Sequence, residues 1–446
     1  AYQSLIGIKK KARWIELWSD IQPLKILPNM DYTYPKDIRH ICTIGGSDQL
    51  DKIIQHLVAN EQYGLEMDLE YYVTFLEKRQ QDIEVKLTSS EVKILELVLM
   101  KQTSSSKELA DEMNLSKSWV SEQVSSLREK QVLYPLMKVP FSRVGIRMFY
   151  LFKSDSPDTD QLHSVRDCPF LFSVREVLLG PWNTMVTLAV PDNAKSIRSV
   201  NEFQKILDET GMGSKLIEIN SSGLAHSFRH YDAEQGGWSI PWNALHGWGH
   251  RILNEGLQDA FERIDIPAKR TESYLDDNDM HLLSLVLKGT TATREQREHL
   301  GIGQKRFLSK RKQLEKEGLI QPVWNIHNVG LSEHTTLWTD KNHARTVEIW
   351  ARELPRTFIR YDKRSNLMLE VNLPRNGAID LLKCIHNLEW HTHIDVSVLN
   401  TSLWGNWDLP KHLWNIERQS WDFPESSVAI WLDGLHISQY EQRISG

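Results

Sequence analysis

The chain has 446 residues, 40% of them hydrophobic, and a net charge of -6 at pH 7, with a pI near 6.3. That length suggests about three domains of roughly 150 residues each, and the acidic balance excludes a global positive field for nucleic acid, so any DNA contact must come from local patches. Three scattered cysteines (Cys42, Cys168 and Cys384) make neither a disulfide framework nor a Cys-x-x-Cys site and point to a reducing cytoplasm, and neither a signal-peptide pattern nor an apolar run near the roughly 18 residues of a membrane span is found.

Residues 1–80 read as an α+β sheet unit. Ile8–Trp18, Ile38–Ile44 and Leu65–Leu76 have strand character, and Gly45–Asp48 breaks the chain before a helix that runs to about Asn60. Residues 84–144 have the order of a winged helix-turn-helix. Thr88 and Glu91 lead into Ile94, Leu95, Leu97 and Val98, and Lys107–Met113 (KELADEM) is a second helix. Asn114-Leu115-Ser116 turns the chain, and Lys117–Lys130 is a third helix buried through Val120, Val124 and Leu127. Val132-Leu133 begins the wing.

Residues 145–245 then read β-α-β-β-α-β. The elements are Met148–Lys153, Thr159–Arg166, Phe170–Leu179, Thr184–Val190, Ser196–Thr210 and Lys215–Asn220, followed by a Trp-rich extension. Residues 246–274 are a linker helix. Residues 275–330 repeat the winged helix-turn-helix, with Leu275–Asp279 in phase with Leu87–Glu91 and Ile302–Ile320 aligned without a gap on Leu115–Leu133. Its third helix, Gln304–Glu317, is basic. Residues 331–446 repeat the sheet unit and its extension: YDAEQGGWSIP (Tyr231–Pro241) aligns with WNIERQSWDFP (Trp414–Pro424). The fold class expected is therefore α+β, with tandem winged helix-turn-helix domains alternating with ferredoxin-like βαββαβ units. Such tryptophans suit interfaces, because they bury much area and keep one polar handle.

The pattern LDxxDxxLL ahead of a winged helix, followed by a βαββαβ unit with a G-x-x-D/N turn between its middle strands, resembles the Lrp/AsnC (feast/famine) transcription regulators. The resemblance covers about Leu87–Asn220 and Leu275–Asn400. It implies winged helices that bind double-stranded DNA, RAM-type sheet domains that pair with another copy, and amino-acid-like effectors at the sheet interfaces. It also implies a cytoplasmic, archaeal or bacterial regulator and a homodimer, because the sheet units are odd in number; the winged helix that would precede the first sheet unit is expected to have been cleaved, disordered or never present. The DNA-contacting positions would be Lys117, Ser118, Trp119, Ser121, Glu122 and Ser125 in the first copy. In the second they would be Gln304, Lys305, Arg306, Ser309, Lys310 and Lys312. Arg and Lys suit guanine edges and phosphates, and Glu122 could accept from cytosine. The effector turn would use Gly180, Trp182 and Asn183, with Asp37 and Asn366 at the matching places in the other units. Asn183 stands where the family usually has an acid.

Two other readings stay open. One is an architectural or transcription-machinery-associated scaffold in which the winged helices contact protein. The other is an enzyme resembling the siroheme decarboxylases, which keep the same two-domain shape. Those carry a His- and Tyr/Arg-bearing motif on a middle strand, whereas here the matching strands read Phe172–Glu176 (FSVRE) and Phe358–Tyr361 (FIRY). The chain has no G-x-S-x-G, no H-E-x-x-H, no phosphate loop and no dinucleotide fingerprint, so no catalytic residue and no cofactor is expected. His226, His230, His246 and His250, and His391 and His393 after Glu389, lack the spacing of a closed zinc set. They read as polar surface histidines, with no metal site expected.

Overall fold

The computed structural model describes residues 85–102, 105–154, 168–211, 213–257, 273–287, 293–388, 393–400 and 409–434, with helical residues between 52 and 64. The strands expected over Ile8–Trp18, Ile38–Ile44 and Leu65–Leu76, the helix over Thr159–Arg166, and Asp37 lie outside the described residues. So do His391, Glu389 and anything ahead of Ala1. The described chain is mixed α+β. In order it runs α1 (Ser89–Lys101), α2 (Ser106–Met113), α3 (Lys117–Glu129), β1 (Leu133–Lys138), β2 (Ile146–Lys153), β3 (Leu171–Leu179), β4 (Thr184–Pro191), α4 (Ala194–Glu209), β5 (Ser214–His226), β6 (Tyr231–Asp232), β7 (Gly237–Trp238) and α5 (Trp242–Asn254). It continues with α6 (Asp277–Leu287), α7 (Thr293–Leu300), α8 (Gln304–Lys316), β8 (Gln321–Ile326), β9 (Glu333–Thr339), α9 (Ala344–Ala351), β10 (Arg356–Asp362), β11 (Leu367–Leu373), α10 (Gly377–His386), β12 (Ile394–Leu399), β13 (Trp414–Asn415), β14 (Ser420–Trp421) and α11 (Ser427–Gly434).

These elements form two compact units. The first comprises Ala1–Pro135, Tyr231–Ser239 and Trp324–Ser332. Its helices begin where the sequence supplies caps: Thr88 and Glu91 make a reciprocal capping box on α1, and Ser105 and Ser116 cap α2 and α3. Val120, Val124 and Leu127 of α3 are buried against α1. Lys130 reaches back 2.6 Å to the buried carboxylate of Glu91, which also accepts from Ser126 Oγ. Residues from the end of β8 finish the three-helix segment: Trp324 N–H donates to Gln102 Oε1, Arg128 lies over the Trp324 ring, and His327 N–H donates to the Val132 carbonyl. The β6–β7 hairpin sits on the start of α1. Tyr231 OH accepts from Leu87 N–H and donates to the Val85 carbonyl, and Trp238 Nε1 donates to the Val329 carbonyl.

The second unit comprises Leu136–His230, Ile240–Val323 and Glu333–Gly446. Its centre is a closed eight-stranded barrel of order β10-β11-β9-β12-β3-β4-β2-β5. Each half has the same internal order, which is the ferredoxin-like arrangement. The halves join along two antiparallel seams. In one, β5 pairs with β10 from Arg356↔His226 to Asp362↔Ile219; in the other, β12 pairs with β3. Closure removes the edges on which each open sheet would otherwise pair with another chain. The central strands β4 and β11 are buried at every position, as expected for strands covered on both faces. Val200, Phe203 and Leu207 of α4 cover the outside of the first half, and α5, α9 and α10 cover the second. The expected strand ending at Asn220 instead runs on to His226, because its last residues pair with β10. The linker helix expected over 246–274 is observed as Trp242–Asn254. It runs through Gly247 and buried Gly249.

The second three-helix segment also lies in this unit. Asp276 and Asp279 cap each other's backbone N–H groups at the start of α6, and Lys310 of α8 bonds both, at 2.8 and 2.9 Å. Gln296, which replaces an apolar residue of α2, is buried and accepts from Arg311. The β13–β14 hairpin repeats the role of β6–β7. Trp414 Nε1 donates to the Leu275 carbonyl and Trp421 Nε1 to the Val144 carbonyl.

Gly180 marks the β3–β12 seam. Its φ is +146°, and a Cβ there would lie 2.6 Å from Ser397 Oγ and 2.8 Å from the Val396 carbonyl oxygen. Gly180→Ala is therefore expected to lower stability by about 1–3 kcal/mol in urea unfolding. Adding Ser397→Ala does not restore it, because the backbone oxygen remains. Wild-type stability for G180A would show that the seam tolerates separation.

Candidate functional site

Alternation along the barrel strands sends every second side chain inward. The inward files carry Met148, Tyr150 and Phe152 on β2, Arg175 and Val177 on β3, and Ile217 and Leu224 on β5. They continue with His334, Thr336 and Trp338 on β9, Arg356, Phe358 and Arg360 on β10, and Met368, Glu370 and Asn372 on β11. Tyr150, Phe152, Val177, Met185, Ile217, Met368 and Leu399 make one apolar cluster drawn from both halves. Beside it lies a charged one.

Glu370 is the centre of that charged cluster. Arg175 Nη1 donates to its Oε1 at 2.6 Å, Arg360 Nη2 lies 3.4 Å from its Oε2, and His334 Nδ1 is 3.9 Å away. Arg360 also lies over the Tyr150 ring, and Arg356 over Phe358. Burial pushes the Glu370 carboxyl up, but Arg175 and Arg360 outweigh it and hold the carboxyl well below the usual range. Burial pushes Arg356 down to about 10, Glu370 opposing, so it stays cationic at neutral pH. Three guanidinium groups thus share one carboxylate; Lys215, on the same barrel wall, has its own partner in Asp395 at 2.7 Å. Arg175 Nε and Arg360 Nη1 are buried without a hydrogen-bond partner, as are Asn372 Oδ1 and both ring nitrogens of His226. Unsatisfied buried donors on a surplus of positive charge favour an anionic group with several acceptor oxygens. Solvent reaches this side of the barrel, since Leu224, on the same inward file of β5, is 43% exposed.

The histidines here are neutral. Burial pushes His226 down to about 3, with Arg356 adding to it, and His334 down to about 4 despite the opposing pull of Glu370. Tyr150 is fully buried, and burial raises its hydroxyl, so it stays protonated.

The residues expected to contact DNA lie on two helix surfaces. Lys117, Ser118, Ser121, Glu122 and Ser125 are exposed on α3, with Trp119 half-buried; Gln304, Lys305, Arg306, Ser309 and Lys312 are exposed on α8. Lys310 differs: it is turned inward to Asp276 and Asp279. A surface pocket of about 810 Å³ lies between Asp276 and the start of α8. The expected effector residues are engaged locally. Asn183 Nδ2 donates to the Ser154 carbonyl, and Asn366 Nδ2 to Asp362 at 2.7 Å, so both close the ends of strand pairs. Trp182 packs against the apolar cluster inside the barrel. His246 and His250 are one turn apart on α5, with their Nε2 atoms 3.1 Å apart.

These elements make a mixed α+β fold around a closed eight-stranded barrel. No family model matches the sequence, and no curated protein does. Among solved structures, the chain is similar to the siroheme decarboxylase NirDL in co-complex with an iron-uroporphyrin III analogue. That match has 10% identity and a TM-score of 0.38, and covers 78% of this chain and 98% of that one. A second structure of NirDL matches at 11% identity and a TM-score of 0.36, covering 78% and 99%. PH0061 matches at 16% identity and a TM-score of 0.21, over 30% of this chain and 93% of that one. Among the described residues, no helix is long and apolar enough to cross a membrane.

The expectation of a DNA-binding regulator that is not an enzyme is corrected here. The similar solved structures include an enzyme, the siroheme decarboxylase. The physical reason the sequence misled is that its visible basic signal, α8, is a surface feature. A second set of basic side chains is inside the barrel, on residues spread over strands far apart in sequence. The expectation that His226 is a polar surface histidine is also corrected: both of its ring nitrogens are buried in the structure, because the end of β5 pairs with β10.

A pH dependence follows. In the unfolded chain His226 and His334 take up protons below about pH 6.5; in the folded chain they resist until about 3 and 4. Their contribution to stability is full above pH 6.5 and is lost as pH falls towards 4. The urea midpoint should fall across that window, and His226→Leu should flatten the fall. An identical profile for H226L would sink this assignment. Glu370→Gln should cost about 3–5 kcal/mol at pH 7, since it leaves the guanidinium groups uncompensated.

Proposed function

We propose that this chain is an enzyme that binds a tetrapyrrole polycarboxylate on the inner face of its barrel and removes a side-chain carboxylate, in the manner of the siroheme decarboxylase. The observation that carries the reading is the buried surplus of guanidinium groups, Arg175, Arg356 and Arg360 against Glu370, with unpartnered donors on Arg175 and Arg360. A flat apolar ring with carboxylates at its rim matches a wall on which arginines alternate with Phe358 and Leu224. In the reaction the bond from carbon to carboxylate breaks and CO2 leaves. The electron pair remains on carbon, conjugated into the macrocycle, and a proton closes that carbon. Tyr150, held protonated by burial and lying under Arg360, is the proton donor in this reading. The arginines hold the carboxylates, and the low-dielectric wall favours loss of the charged group.

The test is an absorption titration of the full chain with iron-uroporphyrin III. A saturable shift of the Soret band is expected, with Arg360→Ala and Arg175→Ala each weakening binding by about tenfold or more. Tyr150→Phe should leave binding within about twofold and lower turnover of a carboxylated tetrapyrrole by about 100-fold or more. No Soret change with the unaltered chain would overturn the reading.

A further inference from the structure

A second cluster of chemistry-bearing side chains lies at one end of the barrel wall. Thr339 at the end of β9 pairs with Ile394 at the start of β12. The next residue outward on each strand is Asp340 and His393, so the ladder brings them side by side. His343, in the turn that leads into α9, completes the set. One ligand atom from each of the three residues lies within 4.8 Å of the others. Asp340 Oδ1 and His343 Nδ1 are 3.3 Å apart, and the His343 and His393 rings stack at 4.2 Å between centroids and 12° between planes.

From these residues we infer a divalent transition-metal site formed by Asp340, His343 and His393. Two imidazoles and one carboxylate are a donor set that suits zinc and its neighbours. Metal–ligand distances of about 2.0–2.2 Å place neighbouring ligand atoms about 3.4 Å apart around a tetrahedral ion. The Asp340–His343 separation meets that spacing, and a side-chain rotation of exposed His393 brings in the third. The carboxylate is already oriented: its Oδ1 accepts backbone N–H bonds from Asn342 at 2.8 Å and His343 at 3.4 Å. Such outer contacts fix a ligand's geometry ahead of binding. Three protein ligands leave at least one coordination position open to water or a small anion, the arrangement of a reactive site and not of a closed structural one. By the same strand register the first half has Ser154 and Gly213 where the second has Asp340 and His393, so the ligand set belongs to the second half.

The competing histidines are His246 and His250, which offer two nitrogens one helical turn apart; His246 Nε2 lies 2.9 Å from the Asn387 carbonyl. They provide the control. The full chain, stripped with a chelator, is titrated with Zn2+ by calorimetry and with Co2+ by its visible d–d absorption. One ion per chain is expected, with His343→Ala and His393→Ala each weakening it by about tenfold or more. His246→Ala should leave it unchanged. The thermal melt of metal-free His393→Ala should match the unaltered chain, because His393 is exposed. The site is overturned if the unaltered chain takes up no zinc at roughly ten-micromolar concentration. It is equally overturned if H343A and H393A bind as the unaltered chain does, or if H246A alone abolishes binding.

Discussion

A single carboxylate set against three guanidinium groups governs the interior of this protein. Glu370 is buried, and its ionised form survives only because Arg175 reaches it from β3 and Arg360 from β10. Arg360 is on the strand next to Glu370, whereas Arg175 belongs to the other half of the barrel, so the full cluster exists only once the two halves have come together. Buried charges rarely stabilise a fold in themselves, since desolvation offsets most of the attraction. What they provide here is selectivity of pairing. A register slip of one residue on β10 would turn Arg356, Phe358 and Arg360 outward and leave Glu370 without its partners.

The tandem construction is carried by short devices repeated in both units. In each, an acidic residue in the first helical turn is met by a lysine from the third helix: Glu91 by Lys130, and Asp279 by Lys310. In each, a Trp-bearing hairpin covers the start of the first helix and hydrogen-bonds a carbonyl beside a post-wing glycine, Val329 or Val144. Lys130 caps the end of α3 whereas Lys310 lies within α8, so the repeat conserves the interaction and not the residue that makes it.

Much of this was legible in the sequence, and the boundary of what was not is physical. Helix periodicity and the order of elements are local, and Val120, Val124 and Leu127 are buried as their spacing predicts. The continuation of β5 to His226 was invisible, because Ser221–His226 are ordered by β10, more than a hundred residues away. The candidate site was missed for the same reason. Arg175, His334, Arg356 and Glu370 lie on four strands, with no short motif linking them, and alternation alone does not distinguish a barrel interior from a solvated face. The one available signal was the charge on strands otherwise rich in apolar residues: Arg356 and Arg360 in RTFIRYD, and Glu370 in LMLEVNL. The basic stripe on α8 was the stronger pattern and drew the reading to the surface.

The joining of two sheet halves in one polypeptide has a consequence for what such a barrel can contain. Two identical subunits related by a twofold axis place every side chain in the lumen an even number of times, so each charge appears with its mirror in function. The Arg175, Arg356, Arg360 and Glu370 set has an odd number of each kind, three bases and one acid. A lone acid facing an odd number of bases is open only to a chain whose halves are free to diverge. It distinguishes one side of the lumen from the other, and a bound molecule with unlike edges would then have a single way to lie.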